Sequence, residues 1–430
     1  MLPILEFDKN NLKKQKVFAR RNTHPMHMDE MNESVREIIA EVCLNGDKAL
    51  FAYTKKFDGY DLNAQNILLT KEEMREAVNQ VPQETLLAMR RAKENITAYH
   101  QRQLKADNFA TENGAGTGFM YRPVSRAGIY VPGGKAAYPS SVLMCTIPAV
   151  VAGVKEIIMV TPPGKYLNPL TIAAAYESGV TKIFRVGGAQ AVAALAYGTK
   201  SVPRVDVIAG PGNYFVTEAK RQVFGQVGID MLAGPSEILI IADSTANPEF
   251  IAADMLSQAE HDELAQSILL TTDRELAECV NLALEKQLNR LPRKEIAGKS
   301  LQKYGSIVVC KNLSDAALLS NRVAPEHLEL CVADPEKLLE KIQNAGAVFI
   351  GNYSPEPLGD YYAGTNHVLP TTGTARFSSG LGVDTFLKRI SVINYTKEAL
   401  SAAADDIITL AETEQLSAHA ESIRVRQNDC

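Results

Sequence analysis

The feature that most narrows the fold is a repeated alternation of short apolar stretches with helical ones, joined by loops of two to six residues. FMYRPVSRAGIYVPGG reads as a strand ending in a glycine turn. SSVLMCTIPAVVAGV, PLTIAAAYESG and AQAVAALAYG then read as helices that alternate with the strands EIIMV, KIFRV and VDVIAG. The pattern starts again at SEILIIAD and runs through the strands SILLTT, SIVVC, HLELCV and AVFIG. Between them lie the helices PEFIAADMLSQAEH, RELAECVNLALEKQL, LSDAALLSNRV and PEKLLEKIQNAG. Strands that are apolar along their whole length are buried on both faces, and strand–helix order with short loops builds a parallel sheet covered by helices. No close sequence repeat relates the two runs, yet they are architecturally alike.

The flanks have a different texture. Residues 1–25 read as an irregular basic arm. Glu33 to Leu104 has helical apolar spacing, with Pro82 separating ETLLAMRRAKENITAYH from the helix before it. Beyond Ile390 the pattern is helical and polar. The expected fold is therefore α/β, with two Rossmann-like lobes with parallel sheets plus small N-terminal and C-terminal helical segments. A cleft between two such lobes is the usual place for a ligand. A length of 430 residues and a hydrophobic fraction of 46% allow large cores without staples.

Composition excludes some functions. A net charge of −5 with no basic block argues against nucleic acid as a partner. Six cysteines, at 43, 145, 279, 310, 331 and 430, show no CxxC spacing, the usage of reduced thiols in a cytosolic protein. The N-terminus lacks the order of charge and apolar run that a signal peptide has, and no apolar run reaches the ~18 residues of a membrane span. A soluble, cytoplasmic protein with no membrane partner is expected.

Four of the seven histidines fall in the second run or the tail: His261, His327, His367 and His419. Gln258 and His261 in SQAEH are three apart on an expected helix, so both can face one point. Asp360 and His367 lie in the turn-rich stretch SPEPLGDYYAGTNHVLP, Glu326–His327 follows Pro325 at the mouth of a strand, and Glu414 and His419 are five apart on the tail helix. A lone histidine is more often a satisfied polar residue than a ligand. No HExxH and no cysteine pair is present, so a metal would have to be assembled from distant segments. Imidazole, carboxylate and amide donors without thiolate suit Zn²⁺, with Mn²⁺ or Co²⁺ as competitors.

The glycine loops leave two readings open. GxGxxG after a strand is absent, and GAGTG at 114–118 reads as a loop. Pro132-Gly133-Gly134, Gly187-Gly188-Ala189-Gln190, Gly210-Pro211-Gly212-Asn213 and Gly234-Pro235-Ser236-Glu237 remain. Three of them end an expected strand and lead towards a helix, where backbone N–H groups can meet a phosphate. Each is equally a tight turn. Spacing thus yields two lobes, a nucleotide as one option and a metal as another.

RPVSRAGIYVPGG, VGGAQAVAALAYGT, AGPGNYFVTEAKRQV, DMLAGPSEILIIAD, SQAEH, APEHLEL, GDYYAGTNHVLPT and the tail AETEQLSAH occur in this order. In them the sequence resembles the histidinol dehydrogenase family, from about residue 30 to residue 420. The resemblance implies oxidation of L-histidinol to L-histidine through the aldehyde, the last step of histidine biosynthesis. Two NAD⁺ take up the four electrons. It implies zinc ligands at Gln258, His261, Asp360 and His419, a general base at His327 and a water-activating carboxylate at Glu326. It also implies substrate contacts at Ser236, Glu414 and His367 and at the zinc ligands and His327, and NAD⁺ contacts at Tyr130, Gln190 and Asn213.

The implied partition is an arm at 1–25, a metal and substrate lobe at 26–121 and 237–381, an NAD-binding lobe at 122–236 and a tail domain at 382–430. The family's homodimer exchanges that tail, so that each site takes Glu414 and His419 from the neighbouring subunit. The residue types suit this chemistry. Histidinol carries an imidazole and an amine that a borderline metal can hold by the non-reacting end, and an imidazole base has an unperturbed pKa near ~6.5. A zinc hydrolase would share the metal set but not need the glycine loops. A two-lobed binding protein would need neither base nor metal and would usually carry an export signal.

Overall fold

The computed structural model describes residues 2–8, 17–18, 28–133, 138–164 and 167–427, which fall into two compact units. One comprises Met1–Gln103 and Ser125–Phe386, the other Leu104–Val124 and Leu387–Cys430. Gly134 of the first glycine loop lies outside the described residues. No helix among the described residues is long and apolar enough to cross a membrane.

The larger unit begins with strand β1 (Ile4–Glu6) and helices α1 (Met28–Asn45), α2 (Asp47–Asp58), α3 (Lys71–Asn79) and α4 (Gln83–Gln101). The smaller unit takes β2 (Asn108–Glu112) and β3 (Ala115–Pro123). The first parallel run follows in the larger unit: β4 (Arg126–Tyr130), α5 (Pro139–Ala152), β5 (Glu156–Thr161), α6 (Pro169–Ser178), β6 (Lys182–Arg185), α7 (Gly188–Tyr197), β7 (Val207–Ala209), α8 (Tyr214–Val223) and β8 (Gly228–Ile229). Its sheet order is β6-β5-β4-β7-β8, and every pairing is parallel.

The second run is β9 (Glu237–Ala242), α9 (Pro248–Ala259), β10 (Gln266–Thr271), α10 (Arg274–Leu288), α11 (Lys294–Tyr304), β11 (Ser306–Val309), α12 (Leu313–Val323), β12 (His327–Cys331), α13 (Pro335–Leu339), β13 (Ala347–Ile350) and α14 (Glu356–Tyr361). Its order is β1-β11-β10-β9-β12-β13, again parallel throughout. Apart from β1, the two sheets share one topology, with the order reversing between the first and fourth strands of each run. Such reversals open the crevices in which α/β folds bind ligands.

Local chemistry explains the element ends. Asn168, Asn213, Asn247, Asp273 and Asn312 each accept a backbone N–H of the helix they precede, and Thr70 with Glu73 closes a full capping box on α3. Helix α7 is almost entirely Ala, Val and Leu and is buried on all sides, because α1 and α2 cover the face that the sheet does not. Small side chains there let three layers approach closely.

The structure corrects several expectations. The N-terminal arm is not irregular throughout: Ile4–Glu6 add a parallel edge strand to the second sheet, and Val17 is buried in that sheet's core. Helices α1–α4, expected with the metal lobe, pack on helices of the first sheet, with α1 on α7 and α8, α3 on α6 and α4 on α5. FMYRPVSRAGIY divides between two sheets, since β3 ends at Pro123 and β4 starts at Arg126. GAGTG, read as a loop, lies largely within β3, which pairs with β14 (Leu387–Tyr395) in a three-stranded antiparallel sheet, β14-β3-β2. Residues 104–124 therefore go with the tail, because β3 finds its hydrogen-bond partners there. The tail begins with this strand and continues as α15 (Lys397–Thr413) and α16 (Ser417–Gln427), two helices broken at Gln415, whose φ is +60°.

Candidate active site

Glu326 and His327 stand at the amino end of β12, next to the amino end of β9, with His327 in register with Ile238. The main chain of Glu237 holds both. Its N–H donates to Glu326 Oε2 at 2.8 Å, and its carbonyl lies 3.0 Å from His327 Nδ1. A carbonyl only accepts, so Nδ1 carries the hydrogen and Nε2 keeps its lone pair. Nε2 is buried and has no hydrogen-bond partner. Burial first, then the charges of His261 and His367, push the His327 pKa down to about 4. The ring is thus neutral near pH ~7, with its basic nitrogen open to a proton. The backbone beside Glu326 is closely packed: Gly346 donates to the Pro325 carbonyl, and a Cβ at Gly346 would lie 2.5 Å from the Glu326 carbonyl oxygen.

Helix α9 runs antiparallel to the strands, so its carboxyl end reaches the same edge. Gln258 lies in its last turn and His261 just beyond it. Gln258 is 1% exposed, yet neither amide atom has a hydrogen-bond partner. A buried amide in that state normally loses one to three kcal/mol, so a ligand on it is expected. His261, Glu356 and Asp360 offer donor atoms that all lie within 4.8 Å of one another. Asp360 Oδ1 is also 4.0 Å from His327 Nε2 and 3.8 Å from His367 Nδ1. Nitrogen and oxygen donors without sulfur, with the unpartnered Gln258 amide one turn before His261 at a helix carboxyl end, fit a borderline cation such as Zn²⁺.

Asp360 was expected in a turn-rich loop; it lies instead on α14, four residues after Glu356. The N–H of Glu356 donates to Glu329 Oε1 at 3.0 Å, and Ser257 Oγ donates to Glu356 Oε2 at 3.2 Å. Spacing in the sequence did not point to Glu356, to the buried Glu329 or to the half-buried Asp254 coupled to it. Reading α14 as a helix would have exposed the i, i+4 carboxylate pair, but Gly359 and the neighbouring Pro residues hid it. Burial raises the Asp360 pKa to about 6. For Glu356, burial and then the Asp360 charge raise it to about 8. Glu329 is held well above the carboxylate range by burial and then by Asp254.

His367 Nδ1 is 3.2 Å from the Asp360 carbonyl oxygen, and its Nε2 is 3.4 Å from Ser141 Oγ at the start of α5. Burial, then His261, lowers its pKa to about 4. Ser236 is half-buried directly before β9. His261, Asp360, His327 and His367 are therefore gathered in one place, with Glu326 beside His327, Gln258 one helical turn before His261, and Ser236 directly before the adjoining strand.

Tyr130, Gln190 and Asn213 lie at the opposite, carboxyl edge of the first sheet. The Tyr130 hydroxyl accepts the Gly188 N–H at 3.0 Å, and Gln190 is buried with Oε1 unpartnered. Asn213 is exposed and caps α8. Gly210 has φ +119°, and a Cβ there would meet the Tyr130 carbonyl oxygen at 2.2 Å, so only glycine lets these strand ends approach. Glu414 and His419 belong to the smaller unit, and both are exposed on it. They do not share one helix as expected, for Glu414 caps α15 and His419 is on α16.

Comparison with known proteins identifies the family. A family model described as histidinol dehydrogenase matches residues 21–427. The chain is 52% identical over 417 residues to histidinol dehydrogenase of Carboxydothermus hydrogenoformans, covering 96% of this chain and 98% of that protein. It is 51% identical to the enzyme of Syntrophotalea carbinolica, with 100% of each chain covered. The crystal structure of histidinol dehydrogenase from Elizabethkingia anophelis superposes with a TM-score of 0.94 at 39% identity, covering 99% of this chain and 98% of that one.

Proposed function

This chain belongs to the histidinol dehydrogenase family and is an NAD-dependent oxidoreductase of histidine biosynthesis, and we propose how its residues divide the work. Gln258, His261 and Asp360 hold Zn²⁺, with His419 as the fourth ligand, and L-histidinol binds against them and Ser236, His327, His367 and Glu414. Bound Zn²⁺ would anchor the imidazole and amine of the substrate, and Tyr130, Gln190 and Asn213 would hold NAD⁺, the hydride acceptor. His327 takes the hydroxyl proton at Nε2 in both half-reactions. Glu326, fixed by the Glu237 N–H, activates the water that converts the aldehyde to a form open to the second oxidation. Retaining the aldehyde between two oxidations at one site keeps a reactive intermediate out of solution.

The observation that carries this reading is His327 itself: a buried ring whose tautomer is set by a carbonyl, with its free nitrogen 4.0 Å from a carboxylate of the metal cluster. We further propose a homodimer in which the tail completes the neighbour's site. Ile393, Leu410 and Val425 leave apolar surface exposed on the smaller unit, as an exchanged segment would. A cytoplasmic location accords with cysteines that are all unpaired among the described residues. The test is NADH formation from L-histidinol: about two NADH per substrate are expected from the electron count, falling to none after chelation and returning with Zn²⁺. One NADH per substrate, or full activity in metal-free protein, would refute the assignment.

A further inference from the structure

The segment that joins the two parallel sheets starts at Asp230, directly after β8, and ends at Ser236, directly before β9. The Asp230 side chain is fully buried and paired with Lys220 of α8, whose side chain is 3% exposed. Both residues grip the same glycine. Asp230 Oδ2 accepts the Gly210 N–H at 2.8 Å, and Lys220 Nζ donates to the Gly210 carbonyl at 3.0 Å. Asp230 Oδ1 also accepts the N–H of Met231 at 2.6 Å, and Thr217 of α8 donates to the Ala233 carbonyl at 3.3 Å. One buried ion pair thus binds the turn Gly210–Asn213 to the connector that delivers Ser236.

Stability alone is a poor reason for such a pair. Taking two charges out of water offsets most of their attraction, and apolar replacements of similar volume are often neutral or stabilising. What an apolar pair cannot do is hold both the N–H and the C=O of one glycine. That glycine needs holding, because its φ of +119° leaves the turn free to adopt other conformations once released.

We infer that Lys220 and Asp230 are positioning residues that lock the Gly210–Asn213 turn to the Ser236 connector, so that cofactor and substrate are presented in a fixed relation. This rests on the reading that Asn213 contacts NAD⁺. Neither residue touches a reacting atom; each acts through the turn.

The test compares Lys220→Met, the apolar double variant Lys220→Met/Asp230→Leu, and Asn213→Ala, with NAD⁺ binding followed by titration calorimetry on the zinc-loaded protein. Lys220→Met should weaken NAD⁺ roughly tenfold or more and raise the KM for NAD⁺ in proportion. The zinc content should change little, whereas kcat at saturating NAD⁺ should fall, since the relation of cofactor to substrate is what the pair fixes. The double variant should recover the melting temperature but not the NAD⁺ affinity, which separates positioning from stability. It also keeps the test open should Lys220→Met fail to fold. Wild-type NAD⁺ affinity in either variant, alongside a loss in Asn213→Ala, overturns the proposal while leaving the cofactor site in place. Wild-type affinity in Asn213→Ala removes the cofactor reading itself, and the proposal falls with it.

Discussion

The two parallel sheets have one topology and offer opposite edges to chemistry. The first sheet offers the carboxyl ends of β4, β6 and β7, where glycine turns feed the amino ends of α7 and α8. The second offers the amino ends of β9 and β12 and the carboxyl end of α9. Helix amino ends carry partial positive charge and helix carboxyl ends partial negative charge. The first edge is therefore suited to an anionic dinucleotide, and the second to a cation. The residue types differ in the same sense: glycine turns and backbone groups at the first edge, titratable side chains at the second. One fold used twice thus presents two different surfaces, set by which edge gathers glycine turns and which gathers titratable side chains.

The largest effect should come from the cation edge. His261→Asn is expected to lose bound zinc and nearly all activity while the fold survives, because the other donors sit on separate segments. Elemental analysis decides it, and stoichiometric zinc in the variant would remove His261 from the ligand set. The base at the same edge comes next. His327→Asn should slow both half-reactions by roughly 10²- to 10⁴-fold, without weakening NAD⁺ at the other edge, whereas Glu326→Gln should slow mainly aldehyde oxidation. Single-turnover measurement of each half-reaction separates the two, and equal losses in Glu326→Gln would merge their roles.

The exchanged tail can be tested by mixing two inactive variants, His261→Ala and His419→Ala. Reciprocal exchange in a two-fold dimer leaves one intact site in each mixed dimer, so activity should return to roughly a quarter of wild type. No recovery despite demonstrated subunit exchange would put His419 in its own subunit's site. At the dinucleotide edge, Gly210→Ala should raise the KM for NAD⁺ by about tenfold or more, since a displaced turn misplaces its contacts. Its zinc content should stay unchanged. Lost zinc in that variant would mean that the two edges are not independent.

The smallest effect concerns pH. Burial holds Glu329 well above the carboxylate range and raises Asp254 to about 6. The folded state keeps protons that the unfolded chain releases near pH ~4. The pair's contribution is thus complete below about pH 4 and is lost as pH rises through about 6. Glu329→Gln, neutral at every pH, should show a shallower fall in Tm than wild type between about pH 5 and 8. Identical slopes would place the proton elsewhere.

Much of this molecule was legible as pattern. The apolar runs from Arg126 to Ile350 identified both parallel sheets, because strands buried on two faces are predominantly apolar. The spacing of Gln258 and His261 anticipated a shared direction, since a helix turn brings such positions together. Sequence resemblance carried the residue roles further than spacing could. What lay hidden depended on partners distant along the chain. Ile4–Glu6 became a strand only because β11 offered a free edge. GAGTG became a strand between two partners, β2 just before it and β14, some 270 residues later (Leu387 less Thr117), and the second of these was out of local reach. Glu356 is in the cluster only because α14 folds as a helix against Glu329. Local sequence determined which stretches are helix or buried strand, since burial and capping act over a few residues. Tertiary structure alone decided the edge each sheet presents and the groups that meet there, because those depend on how the chain closes over long distances.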